Sequence, residues 1–323
     1  MNQSEMTLST LRKITDFPFY SARYRGDYKI EEFISGAIKG PQDVIPFFED
    51  LFKRQGIPVS IPAKRAIPGC PACSAFYASN TENGPVVGKN LDWKKSPVLL
   101  LKTERAGFLS SFSIVDLSLC DLFGIDSFAH SLALSPYVPF DGMNESGLAV
   151  SMLSVTGACR YPFDPKKAAV GDFNVIRIIL DTCTTVEMAI GCLRKYSITQ
   201  TGPLPIHYLI ADPNGSSIVE FVDGTVRAIE LADYGVVTND IVEPGPGFQK
   251  NRERCARFDT LYKALEAGDA LTDSGAKRLL NKVAAYRESF EPPSTIWSAL
   301  FYPKRRLMKV RPGSSKAYYM VRL

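Results

Sequence analysis

The sequence is poor in the residues from which metal centres and disulfide frameworks are built. Its 323 residues include 2 histidines, His130 and His207, and 7 cysteines. An odd number of cysteines, mostly in apolar surroundings, fits buried reduced thiols better than a disulfide framework. A structural zinc site needs four ligands, and the chain has no second close cysteine pair besides Cys70 and Cys73. We therefore expect no metal centre, and we expect His207, in the middle of a predicted strand, to be a hydrogen-bonded structural residue.

Long apolar runs are also absent, as is a strong charge of one sign. No stretch reaches the ~18 apolar residues that a membrane span needs, and the first residues lack the apolar core of a secretory signal. The formal net charge is +4, and the short basic cluster at 304–311 reads as a solvated strand face without a nucleic-acid motif. We expect a water-soluble, cytoplasmic protein with no nucleic-acid partner and no membrane span; the oligomeric state stays open.

The pattern of predicted elements indicates an α+β fold. Residues 1–72 are polar and mixed, with predicted helices at 30–38 and 41–53 and a proline-rich connector. Strands are predicted at 73–77, 86–90, 98–103, 109–115, 147–153, 207–211, 217–222, 226–231, 234–238, 295–301, 306–310 and 318–321. The strands at 226–231 and 234–238 are expected to continue the sheet of the hairpin formed by 207–211 and 217–222. Further helices are predicted at 173–196, broken near a capping box of Thr184 and Glu187, at 252–267, capped by Asn251, and at 273–289. Hairpin-length connections favour antiparallel sheets with helices in separate layers.

The stretch GCPACSAF at 69–76 admits three interpretations. Cys70 and Cys73 could be a redox pair, but Cys73 opens a predicted strand and the strand and helix of the redox fold are missing. They could be half of a metal site, which lacks its other ligands. Alternatively, Cys73 could be a nucleophile that supplies its own base. If the preceding peptide bond is cut, the freed α-amine has a pKa near ~7.7 and can accept the thiol proton.

Such a residue needs a carboxylate to hold the amine and a cation to favour the thiolate. A turn-rich loop at 80–84 joins the predicted strands at 73–77 and 86–90 into a hairpin. Lys89 and Asp92, on its second strand, follow Cys73 by 16 and 19 positions. The hairpin would return both side chains alongside Cys73.

With these residues the sequence resembles the cysteine N-terminal-nucleophile (Ntn) hydrolases, which include choloylglycine hydrolases, penicillin V acylases, acid-ceramidase-like amidases and acyl-CoA:6-aminopenicillanic acid acyltransferase relatives. The resemblance rests on CSAF at 73–76, GKNLDW at 88–93, DGMNESGLAV at 141–150, HYLIAD at 207–212 and VTND at 237–240. It implies a four-layer αββα sandwich, with residues 1–72 as propeptide or small subunit and 73–323 as catalytic domain.

The resemblance also implies roles for individual residues. Cys73 would be the nucleophile, and the bond between Ala72 and Cys73 would be the self-cleaved one. Asp92 would orient the α-amine, and Asn239 would help stabilise the oxyanion.

Other roles are implied with alternatives or departures. Arg254 would be the buried arginine near the thiolate, with Arg257 as the alternative one helical turn on. Lys89 stands where arginine is usual, which keeps the charge and loses the planar fork. Ser154 stands where bile-salt hydrolases carry a second oxyanion asparagine. Asn144 is a further candidate that could equally be a turn residue.

The implied reaction is attack of the Cys73 thiolate on a linear amide C–N bond of a small-molecule N-acyl compound, through a thioester acyl-enzyme. The resemblance also implies that no metal or organic cofactor is needed. Two alternatives keep the fold: an acyltransferase, or a catalytically silent protein that binds acyl ligands. A redox or metal-binding protein would instead depend on Cys70, so Cys70→Ser would abolish its activity and would do little to an amidase.

Overall fold

The computed structural model describes residues 3–35, 41–54, 56, 72–119, 128–157, 159–201, 204–242, 247–285 and 294–323. Cys70 and the proline-rich connector lie outside these ranges. The helices are α1 (Gln3–Leu8), α2 (Ile30–Ile34), α3 (Pro41–Arg54), α4 (Phe128–Leu134), α5 (Asn174–Thr182), α6 (Val186–Lys195), α7 (Gly247–Arg254), α8 (Ala256–Glu266) and α9 (Asp273–Lys282). The strands are β1 (Arg12–Thr15), β2 (Phe19–Arg23), β3 (Ala72–Ala78), β4 (Val86–Trp93), β5 (Val98–Thr103), β6 (Ser111–Asp116), β7 (Asp141–Asn144), β8 (Ala149–Ser154), β9 (Ala169–Gly171), β10 (Ser197–Thr199), β11 (Ile206–Ala211), β12 (Ser216–Val222), β13 (Thr225–Leu231), β14 (Tyr234–Val237), β15 (Ser294–Tyr302), β16 (Leu307–Pro312) and β17 (Tyr319–Arg322).

Two large sheets carry the fold. One has nine strands in the order β1-β2-β5-β6-β7-β8-β11-β12-β13, and the other has six in the order β14-β3-β4-β15-β16-β17. Neighbouring strands are antiparallel except β2 and β5, which run parallel. The short strands β9 and β10 form a separate parallel pair.

The sheets stack face to face between helical layers. β3 and β4 of the six-stranded sheet contact β8 of the nine-stranded sheet. Helices α8 and α9 pack on the outer face of the six-stranded sheet, where Phe76 and Leu300 join Phe258 and Leu280 in one apolar cluster. Helices α5 and α6 pack on the nine-stranded sheet. The expected αββα sandwich is confirmed.

The hairpins follow from local turn chemistry. The Asp212 carboxylate accepts the backbone N–H groups of Asn214 (2.7 Å) and Gly215 (3.0 Å), which folds the chain back between β11 and β12. Gly147, between β7 and β8, has a φ of 85° that a side chain would oppose, and an added Cβ would lie 2.4 Å from the Pro303 carbonyl oxygen.

The N-terminal segment contributes more than the predicted helices. Strands β1 and β2 extend the nine-stranded sheet, with Phe19 to Arg23 paired against Val98 to Lys102 of β5. The side chains of Phe19, Tyr28 and Ile30 are buried in the main core. These strands are short and carry polar residues, so alternation alone does not reveal them.

Three local predictions were wrong. The helix cap of α6 is Thr185, whose hydroxyl accepts the Met188 N–H at 3.2 Å, and not Thr184. The single helix predicted at 252–267 is divided at Cys255 into α7 and α8, so Asn251 lies inside α7 instead of capping it. Strand β14 pairs with β3 instead of continuing the sheet of β13.

Among the described helices, none is long and apolar enough to cross a membrane.

Candidate active site

Cys73 is the second residue of β3 and is fully buried, at 0% exposure. It pairs with Leu91 of β4, and Ala75 pairs with Lys89. Because cross-strand partners point to the same face, Cys73 and Lys89 share the face that packs on the nine-stranded sheet. Asp92, the partner of Ala72, points to the opposite face. The predicted hairpin is confirmed, and it divides the two charged candidates between its faces.

Asn239 contacts the main chain of Cys73. Strand β14 pairs with β3 through Val237 and Ala75, so continuing this antiparallel register brings Asn239 level with Cys73. The Asn239 side-chain oxygen accepts the Cys73 N–H at 2.9 Å. Its Nδ2 donates to the carbonyl and hydroxyl oxygens of Ser154, both at 2.9 Å. The crossing of β14 between sheets thus brings together residues 166 positions apart.

Arg257 is the arginine at this site. It donates through Nη1 to the Cys73 carbonyl oxygen at 2.6 Å and through Nη2 to Asn239 Oδ1 at 2.9 Å. Arg254, the first choice from sequence, is exposed at the last position of α7. The break at Cys255 starts a new helix whose second residue, Arg257, turns inward. Arg257 therefore replaces Arg254 as the candidate.

Asp92 lies beside this cluster and is almost fully buried. Its Oδ1 accepts the Thr295 hydroxyl at 2.5 Å, and its Oδ2 lies 3.6 Å from Arg257 Nη1. Burial raises the pKa of the Asp92 carboxyl above its usual range, although Thr295 and Arg257 act in the opposite direction. Thr295 is in turn fixed by the Ala285 N–H, which donates to its hydroxyl at 2.8 Å. The carboxylate is thus held rigidly next to the start of β3.

Lys89 has partners other than the thiol of Cys73. Its ammonium group donates to the Met152 carbonyl oxygen and lies 3.8 Å from Asp141 Oδ1, with both side chains fully buried. Asp141 Oδ2 accepts the indole N–H of Trp297 at 2.8 Å. The positive charge is retained between the sheets near Cys73, and its compensating carboxylate comes from the nine-stranded sheet.

Ser154 and Asn144 have different positions. Ser154 accepts both N–H groups of the Asn239 amide, so it orients that side chain. The Asn144 Nδ2 donates to the carbonyls of Leu180 and Cys183, while its Oδ1 accepts from Ser146 and Leu148. Because these four bonds use the full capacity of a carboxamide, Asn144 fixes the turn after β7 against α5. It is the turn residue of the two alternatives.

Sequence reasoning missed Thr295, Asp141 and Trp297. Thr295 lies in a predicted strand, but its pairing with Asp92 depends on the register between β15 and β4, which is shifted at that point. Asp141 is the first residue of the motif DGMNESGLAV. Because a buried lysine needs a compensating carboxylate, the position of Lys89 on a buried strand was a signal that an acidic residue lies nearby.

A family model gives this geometry its context. The model of the choloylglycine hydrolase family, described as linear amide C–N hydrolases, matches residues 73–264. The chain belongs to the choloylglycine hydrolase family. It is therefore a linear amide C–N hydrolase of the Ntn type, as the sequence motifs implied, and the match begins at Cys73.

Solved structures share the fold of this choloylglycine hydrolase family member. Penicillin V acylase from Agrobacterium tumefaciens aligns with a TM-score of 0.57 and 17% identity, over 78% of this chain and 86% of that one. A mutant of the conjugated bile acid hydrolase from Clostridium perfringens aligns with a TM-score of 0.61 and 13% identity, over 78% of this chain and 92% of that one. At these identities the likeness shows the architecture.

Proposed function

We propose that the chain is a self-processing amidase in which the bond between Ala72 and Cys73 is cut and Cys73 becomes an N-terminal nucleophile. One observation carries the proposal: side chains bind both the N–H and the carbonyl oxygen of Cys73. Asn239 accepts the N–H and Arg257 donates to the carbonyl oxygen. Neither bond belongs to the strand pairing of β3, so the fold brings two side chains to the main chain of this one residue. The start of the family match at Cys73 supports the same residue.

The cleavage step follows from the chemistry of a thiol beside its own peptide bond. The Cys73 sulfur attacks the Ala72 carbonyl carbon, its proton passes to the departing nitrogen, and the C–N bond breaks to give a thioester and a free α-amine. Water then attacks the thioester, which releases the Ala72 carboxylate and restores the thiol. Arg257 and Asn239 hold the Cys73 backbone in register during this exchange.

Turnover repeats the same bond changes on an external amide. The α-amine takes the thiol proton, the thiolate attacks the substrate carbonyl, and the leaving amine departs with that proton. Water then attacks the thioester with the α-amine as base, and the acid is released. Asp92, held by Thr295, is the carboxylate that orients the α-ammonium group.

Asn239 is the proposed oxyanion donor. Its Nδ2–H that points at the Ser154 hydroxyl becomes available to a substrate oxyanion when that hydroxyl rotates away, while the second Nδ2–H stays on the Ser154 carbonyl. A donor of this kind contributes about 2.7–4 kcal/mol to the transition state.

Residues 1–72 are proposed to remain bound after cleavage as a small subunit. Strands β1 and β2 belong to the nine-stranded sheet, and the Tyr28 hydroxyl donates to the buried Asp181 carboxylate at 2.8 Å. Removing this segment would expose the β5 edge and the core around Phe19. The cut protein should therefore elute as one species in native gel filtration and separate only in denaturant.

The first experiment is the intact mass of the reduced protein beside Cys73→Ala and Cys70→Ser. We expect the parent and Cys70→Ser to give two fragments that meet between residues 72 and 73, and Cys73→Ala to give one uncut chain. Cutting in Cys73→Ala would exclude self-processing by this thiol. An uncut parent would remove the α-amine from the mechanism.

The substrate class is proposed to be N-acyl compounds with linear amide bonds. A panel of para-nitroanilides of acetic, phenylacetic, octanoic and palmitic acids tests it, because release of the aniline is seen directly. An added amine acceptor, glycine methyl ester, distinguishes acyl transfer from hydrolysis by the product formed. Cys73→Ala should be inactive on the whole panel.

A further inference from the structure

The backbone segment that carries Asn239 is held by side chains of the nine-stranded sheet. After β14 the chain runs irregularly from Thr238 to Val242. The Thr238 carbonyl accepts from His207 Nε2 at 2.8 Å. The Val242 N–H donates to Glu220 Oε1 at 2.8 Å, and the Val242 carbonyl accepts from Arg227 Nη2 at 2.8 Å. Both ends of the segment are therefore fixed by polar residues of β11, β12 and β13.

His207 connects the two ends. Its Nε2 faces the Thr238 carbonyl, and its Nδ1 lies 3.1 Å from Glu220 Oε1. The ring is fully buried, in agreement with its predicted role as a hydrogen-bonded strand residue. A carbonyl oxygen can only accept, and so can an ionised carboxylate, whereas a neutral imidazole has a single N–H. With an ionised Glu220, both ring nitrogens must carry a proton.

The surroundings of Glu220 favour its ionised form. Its Oε1 accepts from Val242 and faces His207, and its Oε2 accepts from Arg227. Burial acts to raise the pKa of Glu220, but its hydrogen bonds to His207, Arg227 and Val242, together with the charge of His207, bring it below its usual range. Because Arg227 and the Val242 N–H donate to this carboxylate without involving His207, the hydrogen-bond geometry itself favours an ionised Glu220 and, with it, a buried cation at His207.

We propose that His207, held as an imidazolium by Glu220, is a positioning residue for Asn239. This inference rests on the proposed function, because the residue that His207 positions, Asn239, is the one that binds Cys73. A peptide unit is planar, so fixing the Thr238 carbonyl also fixes the N–H and Cα of Asn239. The charged donor makes that bond stronger than a neutral one. His207 acts through this peptide unit and does not touch the substrate.

Nitrogen NMR of the imidazole rings tests the charge without any activity assay. The chain has only two histidines, so His130→Gln leaves the signal of His207 alone. We expect two protonated ring nitrogens for His207 near neutral pH, and a loss of this signature in His207→Gln. A neutral ring with one proton would overturn the proposed imidazolium.

Kinetics test the positioning. Glutamine can donate one bond to Thr238 but cannot carry the charge, so His207→Gln should lower kcat on the best para-nitroanilide about tenfold, equivalent to about 1.4 kcal/mol. KM should change less than about twofold, and self-cleavage should slow in parallel. Glu220→Gln should behave similarly, and it replaces His207→Gln if that variant does not fold. The control, His130→Gln, changes a half-buried residue of α4 and should match the parent.

An Asn239→Ala variant distinguishes a failure of the positioning role of His207 from a failure of the proposed role of Asn239. If Asn239→Ala loses activity while folded His207→Gln keeps the parental kcat, the positioning role is overturned and the proposed function stands. If Asn239→Ala retains full self-cleavage and turnover, the proposed role of Asn239 fails instead. Parallel losses in Asn239→Ala and His207→Gln support both.

Discussion

The Arg257 guanidinium donates to the carbonyl oxygen of Cys73 at 2.6 Å, across 184 residues of sequence. Its other terminal nitrogen donates to Asn239 Oδ1, which also accepts the Cys73 N–H. Arg257 and Asn239 thus form a closed ring of hydrogen bonds with the main chain of one residue of β3, Cys73. The planar fork of arginine suits two acceptors at once, whereas a lysine would reach one.

This ring predicts that Arg257→Ala slows both self-cleavage and turnover by about a hundredfold, in the range of removing one preorganised donor. Arg257→Lys should recover part of the rate because it keeps the charge and one bond. Rate constants come from the cleaved fraction against time and from para-nitroaniline release. Arg254→Ala is the matched control: an exposed arginine three residues earlier, which should leave both rates unchanged. Equal losses in the two variants would mean that the loss of positive charge in this region, and not the two bonds of Arg257, slows the reaction.

Ser154 gives a second prediction about the orientation of Asn239. Ser154→Ala removes the hydroxyl that accepts one Nδ2–H and keeps the carbonyl that accepts the other. The lost bond is worth about 1 kcal/mol, so kcat should fall about fivefold with little change in KM. Ser154→Thr keeps the hydroxyl and should retain more activity. If Ser154→Ala were faster than the parent, the hydroxyl would be competing with the oxyanion for Asn239.

The sequence predicts the site residues that lie on one hairpin better than those that other elements bring to it. The hairpin of β3 and β4 follows from two strand-like stretches joined by a polar turn. The positions of Cys73, Lys89 and Asp92 on neighbouring strands could therefore be predicted. Asn239 reaches Cys73 only because β14 crosses to the other sheet. That crossing depends on which sheet edge is free to pair with β14. This is a property of the whole fold and cannot be read from local sequence patterns.

The choice between Arg254 and Arg257 shows a second limit of prediction from sequence. Arg254 and Arg257 lie one turn apart, and a continuous helix would have placed both on one face. The break at Cys255 separates them, and no proline or glycine marks it. The N-terminal strands were missed for a related reason, because short edge strands of mixed polarity have little periodicity to read.

Asp273 predicts a pH-dependent contribution to stability. Its carboxylate accepts from Lys309 at 2.5 Å, from Lys277 at 2.6 Å and from the Tyr302 hydroxyl. Burial acts to raise the pKa of Asp273, but these donors lower it below its usual range. A carboxyl with a lowered folded pKa stabilises the fold above the unfolded pKa of about 3.9, and this contribution fades as the pH falls through the folded value.

Asp273→Asn should therefore lower the free energy of unfolding by about 1 kcal/mol near neutral pH, since the group is partly screened by solvent. The difference from the parent should shrink as the pH is lowered below about 4. Thermal unfolding of both proteins across this range measures it. A gap of constant size would mean that the lost packing of the side chain, and not its charge, is responsible.

The buried pair of Lys89 and Asp141 gives the last prediction, which concerns stability and is best measured in the uncut Cys73→Ala background. Lys89→Met leaves the Asp141 carboxylate buried without its cation, and such losses cost about 3–5 kcal/mol. Adding Asp141→Asn removes the stranded charge while its side-chain oxygen can still accept from Trp297. The double variant should therefore be more stable than Lys89→Met in urea unfolding.

Acid provides an independent check on the same pair. Burial raises the pKa of Asp141, with Lys89 acting against it. In Lys89→Met the carboxyl becomes neutral as the pH falls through its raised folded value, so the destabilisation should diminish in acid. Lys304→Met, at an exposed position, should cost little at any pH. If Lys89→Met cost the same with and without Asp141→Asn, the lysine would be needed for its bond to Met152 and not for its charge.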